Sequence, residues 1–438
     1  MKKFTGYLAP LVTILYFSFQ VNTALAQSKK QNSKGDPYEQ QATALANTKS
    51  VKEAFAIIDQ LEPITRKDHI ELTEVPAPPF KESVRALRYK QLLEAAGPNK
   101  VWLDSLGNVL ALRKGKKGGR TVVLDAHLDT VFPEGTDVKV KIKGDTLFAP
   151  GISDDTRGLV VMLTVLRALE KANLQTNDDV LFVASLGEEG LGDLRGVKYV
   201  VNKSNLKIDS WISIDGTEIG EVLNGALGSV RYKVIFHGPG GHSWGAFGLA
   251  NPHHAMAKGM NYFADAASRF TSTGIKTSFN VGRTGGGTSV NSIPFESWAE
   301  VDMRSESPLQ LNKIDSIFKT SFTRGLTEYN ASLTKGSPLT LTFEQIGYRP
   351  SGSTSEKEAL IQRSLAAATY FTPTPKLMIG STNANSATAK GIPAVTLGAG
   401  GKSNNEHSLG EWWLNEKGAD GIKFVLLTLL MEAGAEKK

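Results

Sequence analysis

Apolar segments and segments with helical spacing alternate along most of this chain. Buried strands are predicted at 101–112, 121–125, 179–185, 210–215 and 394–397. Helices are predicted at 159–172, 196–201, 355–369 and 414–432. Strands that alternate with helices are typical of a sheet whose parallel strands are connected through helices. The pattern therefore predicts the α/β fold class.

The pattern changes in the middle of the chain. Apolar and polar positions alternate at 229–237 and 297–304, and a helical stretch at 253–268 lies between them. Such alternation is typical of an antiparallel sheet with one face exposed to water. The predicted division is a polar N-terminal arm at 27–44, a first domain built from 45–221 and 336–438, and a smaller α+β domain at 222–335 inserted into it. The polar residues at 27–50 fit either a loose arm or a first helix.

The first residues have the pattern of a secretory signal peptide. Lys2 and Lys3 precede an apolar run at 7–21, and a small-residue cleavage pattern ends at Ala26. A short membrane anchor would show a similar run, but about 15 apolar residues are too few to span a bilayer well. We expect residues 1–26 to be removed and the protein to be exported, to a periplasm or outside the cell, without a membrane span.

Composition restricts the chemistry available to the folded chain. The 438 residues include no cysteine, so thiolate ligands, disulfides and a cysteine nucleophile are excluded. Any bound metal must be held by histidine, aspartate or glutamate. The net charge of +6 is scattered, and its densest cluster, at 113–120, lacks interleaved aromatic residues. We expect that cluster to be a solvated turn and the protein not to bind nucleic acid.

Histidine and aspartate flank two of the predicted elements. His127 and Asp129 follow the strand at 121–125, where a histidine could bind a metal and an aspartate could orient it. A structural histidine would give the same local pattern. Asp154 and Asp155 precede the next predicted helix, where an acidic residue can also act as a helix cap. Two adjacent aspartates between apolar segments favour a bound cation, because a buried carboxylate needs a partner.

Two adjacent glutamates, Glu188 and Glu189, follow the predicted strand at 179–185. Two carboxylates cannot both stay ionised there without a cation, so one could bind a metal while the other takes a proton from water. Asp215 follows another strand, and His407 lies in a Gly/Asn-rich loop; each alone would also fit a solvated loop residue. Ligand sites of α/β sheets collect at the carboxyl ends of strands.

Taken together, the motifs resemble those of the M20 family of metallopeptidases, which includes peptidase T, dipeptidases, carnosinases, glutamate carboxypeptidases and deacylases. The motifs that carry the resemblance are, in order, DAHLDTV, APGISDDTRG, GEEG, SIDG, GPGGHS, GGGTSVNSIP, VDMR, GSTNAN and NEHS. The C-terminal motifs are most similar to those of peptidase T-like members. The resemblance implies a phosphorylase/hydrolase-like catalytic domain with an inserted lid or dimerisation domain, and a homodimer formed through 222–335.

The resemblance also implies a two-metal site. The ligands that it implies are His127 and His407, one on each metal, Asp154 between the metals, and Glu189 and Asp215, one on each metal. Glu188 would be the general base, Asp129 would orient His127, and the Asp154–Asp155 peptide bond would be cis. Because all five ligands offer nitrogen or oxygen, we expect two divalent ions, zinc in the first place, with cobalt or manganese as substitutes.

Further matched residues lie outside this ligand set. His242 would stabilise the oxyanion, and in dimeric relatives the matching histidine reaches across to the partner's active site. Asn291 and Arg304 would contact the substrate, although Arg304 could equally form a salt bridge at a strand edge. Thr156 and Asn383 stand where relatives often carry Lys and Asp. We expect altered substrate contacts at these two positions.

The implied activity is hydrolysis of amide bonds in small peptides. Aspartate at the position of Asp215 is typical of amino- and dipeptidases, and glutamate there of carboxypeptidases and deacylases. We therefore expect a di- or tripeptidase that acts from the N-terminus. A carboxypeptidase or an N-acyl amino acid amidohydrolase is the alternative enzyme. A non-catalytic, metal-stabilised binding protein is a further alternative, and the presence of Glu188 beside a complete ligand set argues against it.

Overall fold

The computed structural model describes residues 36–435, so the predicted signal peptide lies outside the described residues. The α-helices are α1 (Pro37–Ala46), α2 (Lys49–Gln60), α3 (Glu62–Thr73), α4 (Ser83–Ala96), α5 (Thr156–Lys171), α6 (Arg195–Lys203), α7 (Pro252–Thr271), α8 (Pro308–Ala331), α9 (Ala359–Phe371), α10 (Ala384–Thr388) and α11 (Gly418–Ala433). No helix in this part of the chain is long and apolar enough to cross a membrane.

The strands form three sheets and one short ribbon. They are β1 (Lys100–Leu103), β2 (Val109–Arg113), β3 (Thr121–His127), β4 (Lys141–Lys143), β5 (Thr146–Phe148), β6 (Asp179–Ser185), β7 (Ser210–Ile214), β8 (Glu221–Ala226), β9 (Gly228–His237), β10 (Gly241–His242), β11 (Thr277–Gly286), β12 (Ser292–Ile293), β13 (Glu296–Ser305), β14 (Thr340–Arg349), β15 (Gly352–Ser353), β16 (Lys376–Gly380), β17 (Ala394–Leu397), β18 (Lys402–Asn404) and β19 (Trp412–Leu414).

The large sheet has nine strands in the order β1-β2-β6-β3-β7-β17-β8-β15, with β16 paired to β8. Strands β6, β3, β7 and β17 are neighbours and run parallel. Every residue of β6 is buried, as expected for a strand covered on both faces. Val180 and Phe182 pack into one apolar layer and Leu181 and Val183 into another, because successive side chains point to opposite faces. Helices on both sides complete these layers and confirm the predicted α/β class.

The segment predicted as one strand at 101–112 is a hairpin of β1 and β2. The carboxylate of Asp104 accepts hydrogen bonds from the backbone N–H groups of Leu106, Gly107 and Asn108 at 2.9–3.0 Å. Gly107 has a φ of 106°, a conformation that glycine adopts without steric cost. The chain therefore reverses between two apolar runs that look continuous in the sequence.

The second sheet has four antiparallel strands in the order β11-β13-β9-β14. In β13, alternate residues such as Ala299 and Met303 are buried and those between them are half-buried, which confirms the predicted alternation. Helices α7 and α8 cover the buried face through an apolar cluster that includes Phe263 and Phe322. Strand β14 pairs with β9 on both sides of an irregularity between Gln345 and Gly347, so this sheet extends beyond residue 335, where we expected the chain to rejoin the first domain.

The two ends of the described chain refine the sequence-based expectation. In the polar N-terminal segment, where a loose arm or a first helix was expected, helix α1 begins at Pro37 and buries Ala42 and Ala46 in the large apolar cluster. The helix expected at 414–432 begins only at Gly418, because the residues before it form β19. β19 belongs to a third sheet, in the order β18-β19-β5-β4.

Candidate metal centre and active site

Neighbouring parallel strands of the large sheet end beside one cavity of about 410 Å³. β3 ends at His127, Glu188 and Glu189 follow β6, and Asp215 follows β7. Carboxyl ends of adjacent parallel strands lie at the same edge of a sheet, so these residues converge although they are distant in sequence. The predicted residues that line the cavity are Asp154, Glu188, Glu189, Asp215, Arg304 and His407.

Asp154 lies between the two predicted histidine ligands. Its Oδ1 is 3.0 Å from His127 Nε2, and its Oδ2 is 2.9 Å from His407 Nε2. The same His407 nitrogen is 3.0 Å from Glu189 Oε1. Ligand atoms of His127, Asp154 and Glu189 all lie within 4.8 Å of one another. A carboxylate whose two oxygens face two different histidines is well placed to bridge two cations.

The electrostatics of the cavity favour bound cations. Burial, followed by the charge of Asp154, raises the pKa of Asp215 well above its usual range. Burial also pushes up the pKa of Asp154, but hydrogen bonds with His127 and His407 outweigh it and lower that pKa. Hydrogen bonds to Asp154 and Glu189 raise the pKa of His407 to about 11. The buried carboxylates thus favour positive charge on the groups beside them, and the nitrogen and oxygen donors fit zinc, cobalt or manganese.

Asp129 holds two parts of the site together. The His127 ring places Nδ1 3.0 Å from the carbonyl oxygen of Asp129, which leaves Nε2 directed at Asp154. The carboxylate of Asp129 accepts hydrogen bonds from the backbone N–H groups of Glu188 and Glu189, both at 2.9 Å. Asp129 is fully buried. It therefore orients both the histidine and the loop that carries the two glutamates.

The segment before α5 is held by Glu411, a residue that the sequence analysis missed. The Glu411 carboxylate accepts hydrogen bonds from the backbone N–H groups of Gly151, Ser153 and Asp154 at 2.8–3.1 Å. The Asp154–Asp155 peptide bond is cis, as expected. Glu411 follows His407 by four residues and is buried before a strand. In the sequence, the two tryptophans that directly follow Glu411 were the feature from which burial of this carboxylate could have been predicted.

The proposed base has a partner that the sequence analysis also missed. Arg349, at the end of β14, donates from Nη1 to Glu188 Oε1 at 2.7 Å and from Nη2 to the Glu188 carbonyl oxygen. Burial raises the pKa of Glu188 to about 7, although the Arg349 guanidinium opposes this shift. No local feature of the sequence indicates Arg349, because its proximity to Glu188 depends on the position of the second sheet.

Two further arginines on the second sheet line the same cavity. Asp302 accepts a hydrogen bond from Arg231 Nε at 2.7 Å and one from Arg304 Nε at 2.8 Å. Arg231 also donates to the carbonyl oxygen of Gly190 at 3.1 Å. The structure thus shows Arg304 in a salt bridge, which was one of the two roles expected for it. It also places the Arg304 side chain at the cavity. Its Nη groups have no hydrogen-bond partner among the described residues and are available to a ligand.

His242 and Asn291 do not line this cavity in the described part of the chain. Both are exposed: His242 ends β10 and Asn291 directly precedes β12, and the Ser243 N–H donates to the Asn291 carbonyl oxygen at 2.9 Å. His242 Nδ1 accepts from the backbone N–H of Trp244 at 3.2 Å. The structure therefore places the two residues near each other and outside the cavity that the predicted metal ligands of the same chain line.

The expectation of altered substrate contacts at Thr156 and Asn383 is wrong for this structure. Thr156 is fully buried and donates its hydroxyl to the Gly151 carbonyl oxygen at 2.7 Å. Asn383 is also buried, and its Nδ2 donates to Asp125 Oδ2 at 2.5 Å and to Ser185 Oγ at 2.8 Å. Both side chains serve internal hydrogen bonds and neither lines the cavity.

The chain is similar to known proteins along most of its length. The uncharacterized protein YqjE of Bacillus subtilis (strain 168) is 23% identical over 368 residues, which cover 81% of this chain and 91% of YqjE. The aminopeptidase PepT from Bacillus cereus superposes with a TM-score of 0.66 at 20% identity, covering 84% of this chain and 97% of PepT. The di-peptidase Dug1p from Saccharomyces cerevisiae superposes with a TM-score of 0.68 at 15% identity, covering 87% and 98%.

At these identities the structural matches establish the fold. The family is established separately, because residues 123–431 match the model of peptidase family M20/M25/M40. That match includes every predicted metal ligand and the proposed base. The cavity at the strand ends and the family match agree, and this chain is a metallopeptidase of the M20/M25/M40 family.

Proposed function

We propose that this protein is an exported, zinc-dependent di- or tripeptidase that removes residues from the N-terminus of small peptides. The observation that carries the proposal is the position of Asp154, whose two oxygens face His127 and His407. Asp215 lines the same cavity. The names of PepT, an aminopeptidase, and Dug1p, a di-peptidase, support this choice of substrate end.

The ligand set suits two metal ions. His127, Asp154, Glu189, Asp215 and His407 would hold them, and two such ions would polarise the scissile carbonyl and lower the pKa of a nearby water. Glu188 takes the proton of the attacking water and passes it to the amine that leaves. Asp129 keeps Glu188 in place through the backbone hydrogen bond described above.

A stabiliser of the oxyanion is still needed. His242 is exposed and lies outside the cavity of its own chain, so we propose that it acts in the active site of a partner subunit in a homodimer formed through the second sheet and its helices. The test is to compare His242→Ala with the wild type, and then with mixtures of His242→Ala and Glu188→Ala subunits. Recovered activity in the mixture supports a shared site, whereas no recovery contradicts it.

Arg304 favours a second candidate, a carboxypeptidase or an N-acyl amino acid amidohydrolase. Its Nη groups line the cavity without a partner, and a guanidinium binds a substrate carboxylate well. A peptide panel separates the candidates. We expect metal-loaded protein to cleave free tripeptides and to leave N-acetylated ones intact. Cleavage of the blocked peptides alone would support the second candidate and contradict the first.

Metal dependence is tested on the same panel. We expect protein treated with a chelator to lose activity and to recover it when zinc, cobalt or manganese is added. Metal analysis should then find two ions per chain. A chelated protein that binds zinc again but gains no activity would instead support the non-catalytic, metal-stabilised binding protein.

A further inference from the structure

Arg349 holds Glu188 at both its main chain and its side chain. Nη1 donates to the carboxylate Oε1 at 2.7 Å, Nη2 donates to the carbonyl oxygen, and Nη1 also lies 3.1 Å from Ser381 Oγ. The side chains of Arg349 and Glu188 are only 7% and 5% exposed, so water competes little for these bonds. A charge-assisted contact at two points of one residue restricts the rotamer of its carboxylate.

The arginine and the glutamate come from different sheets. Arg349 ends β14 of the second sheet, whereas Glu188 lies in the loop after β6 of the large sheet. The same loop makes two more contacts with the second sheet: Asp193 Oδ1 accepts from the Tyr348 N–H at 2.8 Å, and the Gly190 carbonyl accepts from Arg231 at 3.1 Å. The position of the base therefore depends on an element outside the sheet that supplies the metal ligands.

We propose that Arg349 is a positioning residue for peptide hydrolysis. It holds Oε1 of Glu188, so that Oε2, which has no hydrogen-bond partner among the described residues, is directed at the attacking water. Oε2 receives the proton of that water and later gives it to the amine, while Arg349 keeps its own protons throughout. This inference rests on the proposed function, in which Glu188 is the general base.

The test uses Arg349→Ala and Arg349→Lys in the full-length, metal-loaded protein. Misplacing a catalytic group by about 1 Å can cost on the order of 100-fold in rate. We expect Arg349→Ala to lower kcat by about 100-fold with little change in KM or metal content. Arg349→Lys should retain more activity, and added guanidinium ion should partly restore Arg349→Ala. Arg363→Ala is the matched control, because Arg363 also pairs with a buried glutamate, Glu432, at 2.6 Å.

A second measurement does not depend on activity. Hydrogen exchange of the backbone amides at 186–193 should be faster in Arg349→Ala than in the wild type or in Arg363→Ala.

An unchanged kcat, or a fall in kcat that parallels a loss of metal, would overturn the inference. If Arg349→Ala does not fold, Arg349→Met, which has no donor for Glu188, takes its place, and a wild-type kcat in that variant would overturn it. A wild type without any peptidase activity would contradict the proposed function instead, and the exchange experiment would still test the contact.

Discussion

The two walls of the active-site cavity differ in how firmly their side chains are held. On the wall formed by the large sheet and its neighbouring loops, Asp129 and Glu411 are buried and accept hydrogen bonds from the backbone that carries the predicted metal ligands. On the wall formed by the second sheet, Arg304 has a side chain that is 40% exposed, and Asp302 occupies only its Nε. The side chains of the first wall are therefore fixed before a ligand binds, whereas the second wall keeps hydrogen-bond donors available for a ligand.

This difference matches the demands of the two halves of a hydrolytic site. Groups that act on the transition state work best when they are fixed in advance. Groups that bind substrate must also release product, which suits exposed side chains with partners on one side only. Arg349 is the exception on the second sheet, because it is buried and contacts Glu188, the proposed base, directly. The following predictions test this comparison, starting with the largest expected effect.

Glu188→Gln should remove the proton acceptor and leave the metal ligands intact. We expect kcat to fall by about 10²- to 10⁴-fold, the range typical of a lost general base. Metal analysis of the purified variant should still find the wild-type content. The adjacent Glu189→Gln serves as the contrast, since it should lose metal as well as activity. Wild-type turnover in Glu188→Gln would exclude Glu188 as the base.

Glu411→Gln should weaken metal binding without touching a metal ligand. An amide cannot accept the same set of backbone N–H donors, so the segment that carries Asp154 would loosen. Loss of a group that orients a ligand typically lowers metal affinity by about 10- to 100-fold. Competition with a chelator measures the change. Glu432→Gln alters another buried glutamate that pairs with arginines, and it should keep the wild-type affinity.

Arg304→Ala should act on substrate binding more than on the chemical step. A hydrogen bond to a charged group contributes about 1.5–3 kcal/mol, and partial exposure of Arg304 reduces this, so we expect KM to rise roughly tenfold with kcat nearly unchanged. Steady-state kinetics should show the effect with free peptides and lose it with peptide amides. Arg283→Ala changes an exposed arginine on the same sheet and is the control. A selective fall in kcat would contradict a binding role.

His69 supports the large-sheet wall and should make stability depend on pH. It is buried, and its Nε2 lies 2.6 Å from the Ile152 carbonyl oxygen. Burial, followed by the charge of Arg157, lowers its pKa from 6.5 to about 3. The unfolded chain therefore takes up this proton first, and stability falls as the pH drops from about 6.5 towards 3, by at most about 1.4 kcal/mol per pH unit.

Denaturant unfolding of His69→Gln at several pH values measures this contribution. The variant should show a shallower loss of stability below pH 6.5 than the wild type, because the group that protonates only on unfolding is gone. His254→Gln changes an exposed histidine on α7 and is the matched control. Equal slopes in the wild type and in His69→Gln would show that acid sensitivity arises elsewhere.

Local patterns in the sequence were sufficient for most of the fold. The continuous apolar run of β6 and the alternating run of β13 each predicted the correct type of sheet. A strand that is buried on both faces has apolar residues at nearly every position, whereas a strand buried on one face has them at every second position. The hairpin after Asp104 was missed because it depends on local hydrogen bonds between two apolar runs. The place of β14 was missed because strand pairing is a contact between distant segments.

The sequence by itself determined which residues could bind metal: with no cysteine, only acidic residues and histidines at strand ends and loops remained. Only the tertiary structure decided which groups hold those residues in place. Glu411 acts on Asp154, and Arg349 acts on Glu188, across 257 and 161 positions of chain. The capacity of a side chain to bind metal depends on its residue type and can be read from the sequence. The residues that hold it in position come from distant segments, and only the packing of sheets and loops brings them beside it.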